Sequence, residues 1–144
     1  MKPKIFLILF AILLSHLGMA QSHIKKDKWH WNNTEQDTVA GYAQVIKVDN
    51  ILYISGVVTS ELTPEGIEGV YNALASSLKN YGATFQNVVK ENLYTTDIET
   101  MKKHNQARKK YYNNDFPAAT WVQVDRLYME SAKLEVELIA HLPK

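Results

Sequence analysis

The sequence predicts an α+β domain in which two helices lie on one face of a single mixed sheet. Three observations carry that reading. Five β-branched or aromatic runs are interleaved with two stretches of helical period, and turn-forming residues stand where the runs end. The chain has 144 residues, 46% of them apolar and 22% charged, which is one globular domain's worth of material. The chain contains no cysteine, which excludes disulfide scaffolds, thiolate metal sites and cysteine nucleophiles. Sixteen basic against 15 acidic residues give a net charge of +1, too balanced for a protein that binds nucleic acid through its overall field.

The first twenty residues read as a secretory signal. Met1-Lys2-Pro3-Lys4 is a short positive region, Ile5 to Leu14 is an apolar run, and Gly18-Met19-Ala20 offers small residues for cleavage before Gln21. The run ends at Ser15-His16, short of the roughly 20 residues of a spanning helix. The expected mature chain is therefore exported, periplasmic or secreted, with no membrane anchor. Loss of Lys2 and Lys4 takes its net charge from +1 to −1.

Residues 21–37 show neither helical nor strand period and read as an extended arm, with residues 38–144 as the domain proper. Trp29 and Trp31 have two readings, anchors that pin the arm to the domain or a ligand clamp. Asn32-Asn33-Thr34 has the form of a glycosylation sequon. Tyr42 to Val48 and Ile51 to Val58 read as strands joined by an Asp49-Asn50 hairpin turn. Thr63 caps a helix that begins at Pro64, buries Ile67, Val70, Leu74 and Leu78, and ends near Gly82. Val88 to Thr95 is a strand. Thr96 and Glu99 have the spacing of a capping box for a second helix, expected from Asp97 to Tyr112. Thr120 to Leu127 and Lys133 to Leu142 are the last two strands, joined near Tyr128–Ser131.

The last strand shows that the second face of the sheet is not plainly solvated. Leu134, Val136, Leu138, Ala140 and Leu142 alternate onto one face, while Glu135, Glu137, Ile139 and His141 take the other. The hairpin from Ile51 to Val58 leaves neither side polar, and strands apolar on both sides need cover on both. With only two helices available, another copy of the chain is the simplest second cover.

Several chemistries find no support. His23, His30, His104 and His141 have no partner at metal-ligand spacing. Gly56 and the Gly66/Gly69 pair make no phosphate loop, so no cofactor and no metal are expected. The Lys102–Lys110 segment is a solvated helix face or an RNA-contacting patch, and it lacks the interleaved aromatics that stack on bases. Glu135 and Glu137 share the face that needs cover, where carboxylates must be paired or used. They either form a salt bridge across an interface, or one of them positions a water or relays a proton.

An ordered set of short strings then resembles one family. These are Gly41-Tyr42-Ala43-Gln44, Ile54-Ser55-Gly56, Asn80-Tyr81-Gly82-Ala83 and Asn87-Val88-Val89-Lys90. They continue with Tyr94-Thr95-Thr96-Asp97, His104-Asn105, Tyr111-Tyr112, Phe116-Pro117-Ala118, and Leu134 through Ala140. Over about residues 38–142 the chain resembles the RidA (YjgF) proteins, reactive-intermediate deaminases. The resemblance implies a chorismate-mutase-like fold, a homotrimer, and small-molecule pockets at the subunit boundaries. It implies hydrolysis of an enamine or imine to a carbonyl compound and ammonia. By position it makes Glu135 the group that places the water, with Tyr42, Ser55, Gly56, Ala119, Thr120 and Trp121 around the substrate.

The chain departs from that family at one position of consequence. Where the family reads P-A-R-S/T, with the arginine holding the substrate carboxylate, this sequence reads Pro117-Ala118-Ala119-Thr120 and continues with Trp121. Arg126 lies seven positions beyond Ala119, an odd separation that puts it on the opposite strand face. Arg108 stands on the second helix, where the family often has tyrosine. Two functions follow: a deaminase-type hydrolase of altered substrate range, or an exported trimer that binds a small ligand without the imino-acid reaction.

Overall fold

The computed structural model describes residues 23–31 and 36–143. The expected signal segment and the Asn32-Asn33-Thr34 sequon lie outside the described residues. The strands are β1 (Asp27–Trp29), β2 (Val45–Val48), β3 (Ile51–Thr59), β4 (Val88–Thr95), β5 (Ala118–Gln123) and β6 (Leu134–His141). The helices are α1 (Pro64–Lys79), α2 (Ile98–Lys103) and α3 (Gln106–Lys109). One six-stranded sheet runs in the order β1-β2-β3-β6-β4-β5. Its pairs are antiparallel except β4 with β5, which is parallel because a helical crossover separates the two. The predicted α+β class, with the helices on one face, is the observed one.

The local signals act as read at the hairpin and at α1. Asp49 takes a positive φ of 52°, and Val48 pairs directly with Ile51. The Thr63 hydroxyl accepts the Gly66 amide hydrogen at 3.1 Å, with Pro64 in the first helical position. Gly82 adopts φ 69° just beyond the helix end. The α1 stripe buries Ile67, Val70, Leu74 and Leu78 as expected, and Tyr71 and Ser77 with them. They pack on Leu52, Ile54, Leu93, Leu134, Val136 and Leu138 of the sheet.

Several boundaries differ from expectation, β2 among them, which begins at Val45 rather than Tyr42, and four differences have a local reason. The arm contributes β1, whose Asp27–Trp29 pair with Val45–Lys47 and extend the sheet, while Trp29 packs on the core. The second helix breaks at His104-Asn105, where Asn105 N–H bonds Lys102 and Ala107 N–H bonds His104, each three residues back. Its cap is Asp97 rather than Thr96; the carboxylate accepts the Thr100 amide at 3.0 Å and the Thr100 hydroxyl at 2.7 Å. Finally, β5 begins two residues before Thr120 and stops at Gln123. Its template β4 ends at Thr95, whose carbonyl takes the Val124 amide as the last rung. The apolar alternation through Leu127 thus has no strand left to pair with.

Candidate functional site

The site begins at an irregularity in β3. Between the pairs Ile54↔Leu138 and Val57↔Val136 the register shifts, so Ser55 and Gly56 together face Glu137. Such a bulge turns side chains away from strict alternation. Ser55 is fixed by three bonds to the segment before β2: its hydroxyl donates to the Ala43 carbonyl at 2.7 Å, its amide donates to the Gln44 carbonyl at 2.9 Å, and its own carbonyl accepts from the Gln44 side chain. The Gln44 side-chain oxygen in turn accepts from the Gln36 amide group, which ties the turn carrying Ala40 and Tyr42 to the same place.

Beside this bulge lies a cavity of about 360 Å³, lined by Ala40, Tyr42, Ser55, Gly56, Val58, Tyr128, Met129 and Glu135. The missing side chain of Gly56 is what admits Glu135. A Cβ at Gly56 would overlap Oε1 of Glu135 and come within 2.7 Å of its Cγ and Cδ. The carboxylate thus lies flat over the glycine, half-buried and without a hydrogen-bond or ion-pair partner among the described residues. Burial first, and the neighbouring Glu137 second, push the Glu135 carboxyl above the ordinary glutamate range. Glu137 is engaged instead, accepting from Asn92 Nδ2 at 2.7 Å and from the Tyr94 hydroxyl at 3.3 Å.

Four of the expected site residues, Tyr42, Ser55, Gly56 and Glu135, therefore meet in one cavity. Ala119, Thr120 and Trp121 do not join them: β5 is the far edge of the sheet, separated from β6 by β4. Thr120 pairs with Asn92 and shares the Glu135 face, where its hydroxyl meets Lys90 Nζ at 2.6 Å. Ala119 and Trp121 pair with Glu91 and Leu93, on the helix-covered face. Within one chain, Glu135 and Ala119 sit on opposite faces.

On that helix side Arg108 and Trp121 join a group whose centre, Glu91, the sequence reading did not single out. Glu91 is fully buried on β4, and its carboxylate accepts four hydrogen bonds. Arg108 Nε (2.7 Å) and Trp121 Nε1 (3.3 Å) donate to one oxygen, the Tyr112 (2.6 Å) and Tyr71 (2.9 Å) hydroxyls to the other. Burial lowers the tendency of Arg108 to keep its proton, and Glu91 outweighs it, so the guanidinium is held charged. Burial, then Glu91, raises both phenols well above their usual range, and they act as donors only. The signal in the sequence was an acid at a core-facing position of β4, in step with Leu93 and Thr95.

Arg126, the other arginine weighed for the site, is exposed and engaged with Glu130 at 3.4 Å. In the lysine-rich segment Lys102 pairs with Glu99, Lys110 pairs with Glu68, and Lys103 and Gln106 face solvent. Lys102, Lys103, Gln106 and Lys110 are thus the solvated side of that segment, while Ala107 and Arg108 are buried. Among the described residues no group of three or more histidines or acids is placed to hold a metal ion. No helix among them is long and apolar enough to cross a membrane.

Residues 33–142 match the family model described as Endoribonuclease L-PSP. Among curated proteins, Reactive Intermediate Deaminase A of Arabidopsis thaliana is 31% identical over 137 residues, spanning 88% of this chain and 71% of its own. The 2-iminobutanoate/2-iminopropanoate deaminase of Capra hircus is 33% identical over 111 residues, spanning 71% of this chain and 80% of its own. Among solved structures, yeast Mmf1 superposes with a TM-score of 0.67 at 26% identity, covering 72% of this chain and 89% of its own. Rv2704 of Mycobacterium tuberculosis, described as a member of the YjgF/YER057c/UK114 family, shares the fold with a TM-score of 0.73 at 18% identity, over 82% of this chain and all of its own. A match across nearly the whole described domain, together with deaminases about as similar over most of their length, makes this chain a member of the RidA (YjgF) family.

Proposed function

We propose that the protein hydrolyses a C=N bond in the manner of the reactive-intermediate deaminases, in a pocket completed between copies of the chain. The observation that carries this reading is the Glu135 carboxylate, unpartnered among the described residues and laid over Gly56 in a cavity with Tyr42 and Ser55. A half-buried carboxylate with a raised proton affinity is suited to general acid–base work. On the protonated imine it takes one proton from water as the water oxygen bonds to the imine carbon and the C=N π pair moves onto nitrogen. It gives that proton to the amino nitrogen as the C–N bond of the tetrahedral intermediate breaks, and takes the remaining hydroxyl proton as the C=O bond forms, releasing ammonia and a carbonyl compound and passing the last proton to solvent.

The second face of the sheet supports assembly. Tyr53, Val58 and Val122 lie there and are more than a third exposed, beside Ile46 and Ile139. Isolated exposed side chains are ordinary, but a row across the whole sheet is a surface built for cover. A homotrimer supplies it, and also brings one chain's β5 toward another's Glu135. Purified residues 21–144 are expected to sediment as a trimer and to release ammonia from 2-iminobutanoate generated in situ. A stable monomer, or a trimer that leaves the imine to its spontaneous hydrolysis, would refute the reading. Export, with loss of residues 1–20, belongs to the same proposal, and mass spectrometry of the exported fraction should find Gln21 first.

A second reading, a trimer that binds a small ligand without hydrolysing it, is favoured by one feature. Ala119 presents a methyl group where the resemblance calls for a guanidinium. The two readings part on Gly56→Ala. The exchange of glycine for alanine in a strand is worth only about 1 kcal/mol of stability, but the new Cβ displaces the Glu135 carboxylate. In a hydrolase, activity is expected to fall about a hundredfold, as misplacement of a reacting group by an ångström does. In a binder no hydrolysis exists to lose.

A further inference from the structure

We propose that Arg108 is the docking group for a carboxylate on the ligand, delivered from helix α3 to the place on β5 that Ala119 leaves empty. The inference rests on the proposed function only for the other end of the ligand; the need of this guanidinium for an anion is read from its own surroundings.

Arg108 has a side chain only 7% exposed, and it spends one nitrogen on Glu91. A guanidinium carries five N–H donors. Among the described residues its two terminal nitrogens have no acceptor, and neither is sealed from the surface. The guanidinium lies among three rings, with its central carbon 5.0 Å from the centre of Tyr112, 5.3 Å from Trp121 and 5.9 Å from Phe116. Aromatic rings attract a cation, but they do not accept in-plane N–H bonds as a carboxylate does. Four donors converge on Glu91, so the carboxylate and the arginine it holds are fixed in place before any ligand arrives. The free edge of the fork then matches a planar anion with two oxygens.

The position of that edge is set by register. Ala119 pairs with Glu91, the residue that holds Arg108, and Trp121, two residues on, packs against the guanidinium. Ala119 is exposed and ends at its methyl group, so from β5 only the Trp121 ring lies against the guanidinium, and position 119 itself puts no polar group there. A ligand with a carboxylate and a carbonyl or imine carbon, that is a 2-oxo or 2-imino acid, is the class such a fork would take.

The test uses the assembled protein and a stable probe, 2-oxobutanoate, with butanone as the same molecule lacking the carboxylate. Arg108 and Arg126 are the two arginines of the chain, so arginine labelled with nitrogen-15 in an Arg126→Lys background reports Arg108 alone. Its side-chain signals are expected to shift saturably with 2-oxobutanoate and not with butanone. Calorimetry should find binding weakened roughly ten- to a hundredfold in the neutral pair Arg108→Gln with Glu91→Gln, which leaves no unpaired buried charge. Absence of the shift, no binding of 2-oxobutanoate, or equal affinity in the double variant would each overturn the proposal. Glu135→Gln separates the two ideas: it should abolish hydrolysis and keep the Arg108 shift. If the wild type shows the shift without any hydrolysis, the deaminase reading fails and the carboxylate site stands.

Discussion

Replacing Glu135 by glutamine is expected to remove nearly all imine hydrolysis while leaving the assembly intact. Glutamine keeps the shape that lies over Gly56 but cannot take a proton from water. A positioned acid–base group is worth about 10²–10⁴ in rate, so kcat should fall by that factor with little change in the concentration at which substrate saturates. The pH profile carries a second signature. Burial and Glu137 raise the Glu135 carboxyl, so the acid limb of the rate should lie above the usual glutamate range and vanish in the variant. The sign for stability is the reverse. A carboxyl that holds its proton more tightly when folded favours the fold below its unfolded pKa, and that contribution is lost as the pH rises through its folded value. Glu135→Gln should therefore unfold no more easily than wild type at neutral pH, and a variant that both unfolds readily and stays active would contradict both halves of the argument.

The second large effect is expected at Glu91. Glu91→Leu leaves Arg108 buried without its partner and strips the acceptor from the Tyr71 and Tyr112 hydroxyls at once. Removing one member of a buried pair typically costs about 3–5 kcal/mol, a large part of a small domain's whole stability. Urea unfolding at fixed protein concentration measures it, since assembly makes the midpoint depend on concentration. Glu91→Leu combined with Arg108→Leu should recover much of the loss, because an apolar pair of similar volume replaces the charged one. A loss under 1 kcal/mol for the single change would mean that water already reaches the pair.

These two carboxylates also mark what the sequence could and could not disclose. Strict alternation along β6 put Glu135 on the face away from the helices, and the family resemblance grouped it with Tyr42, Ser55 and Gly56, with which it lines one cavity. The helix α1 and the hairpin at Asp49-Asn50 were legible because their signals are local: a cap, a proline, a turn pair. The end of β5 was not legible, because a strand stops where its neighbour stops, and Thr95 is 28 positions from Gln123 in the chain. Glu91 escaped notice for the same kind of reason. Its meaning depends on Tyr71, Arg108, Tyr112 and Trp121, drawn from a helix, a broken helix, a loop and an edge strand, and no spacing in the sequence links them.

The place of β6 in the sheet bears on how the chain folds. The strand β6 comes after the other described strands in the chain yet lies between β3 and β4, and its residues pair back to positions 51–59 and 88–95. Until residues 134–141 leave the ribosome, β3 and β4 each expose an unpaired edge, and the helix-side core lacks Leu134, Val136, Leu138 and Ala140. The sheet therefore closes only once β6 has emerged, through contacts of long sequence separation, which form slowly. A nascent chain of this topology stays open until residues 134–141 are out, the condition in which a polypeptide can be threaded through a narrow channel before it folds on the other side.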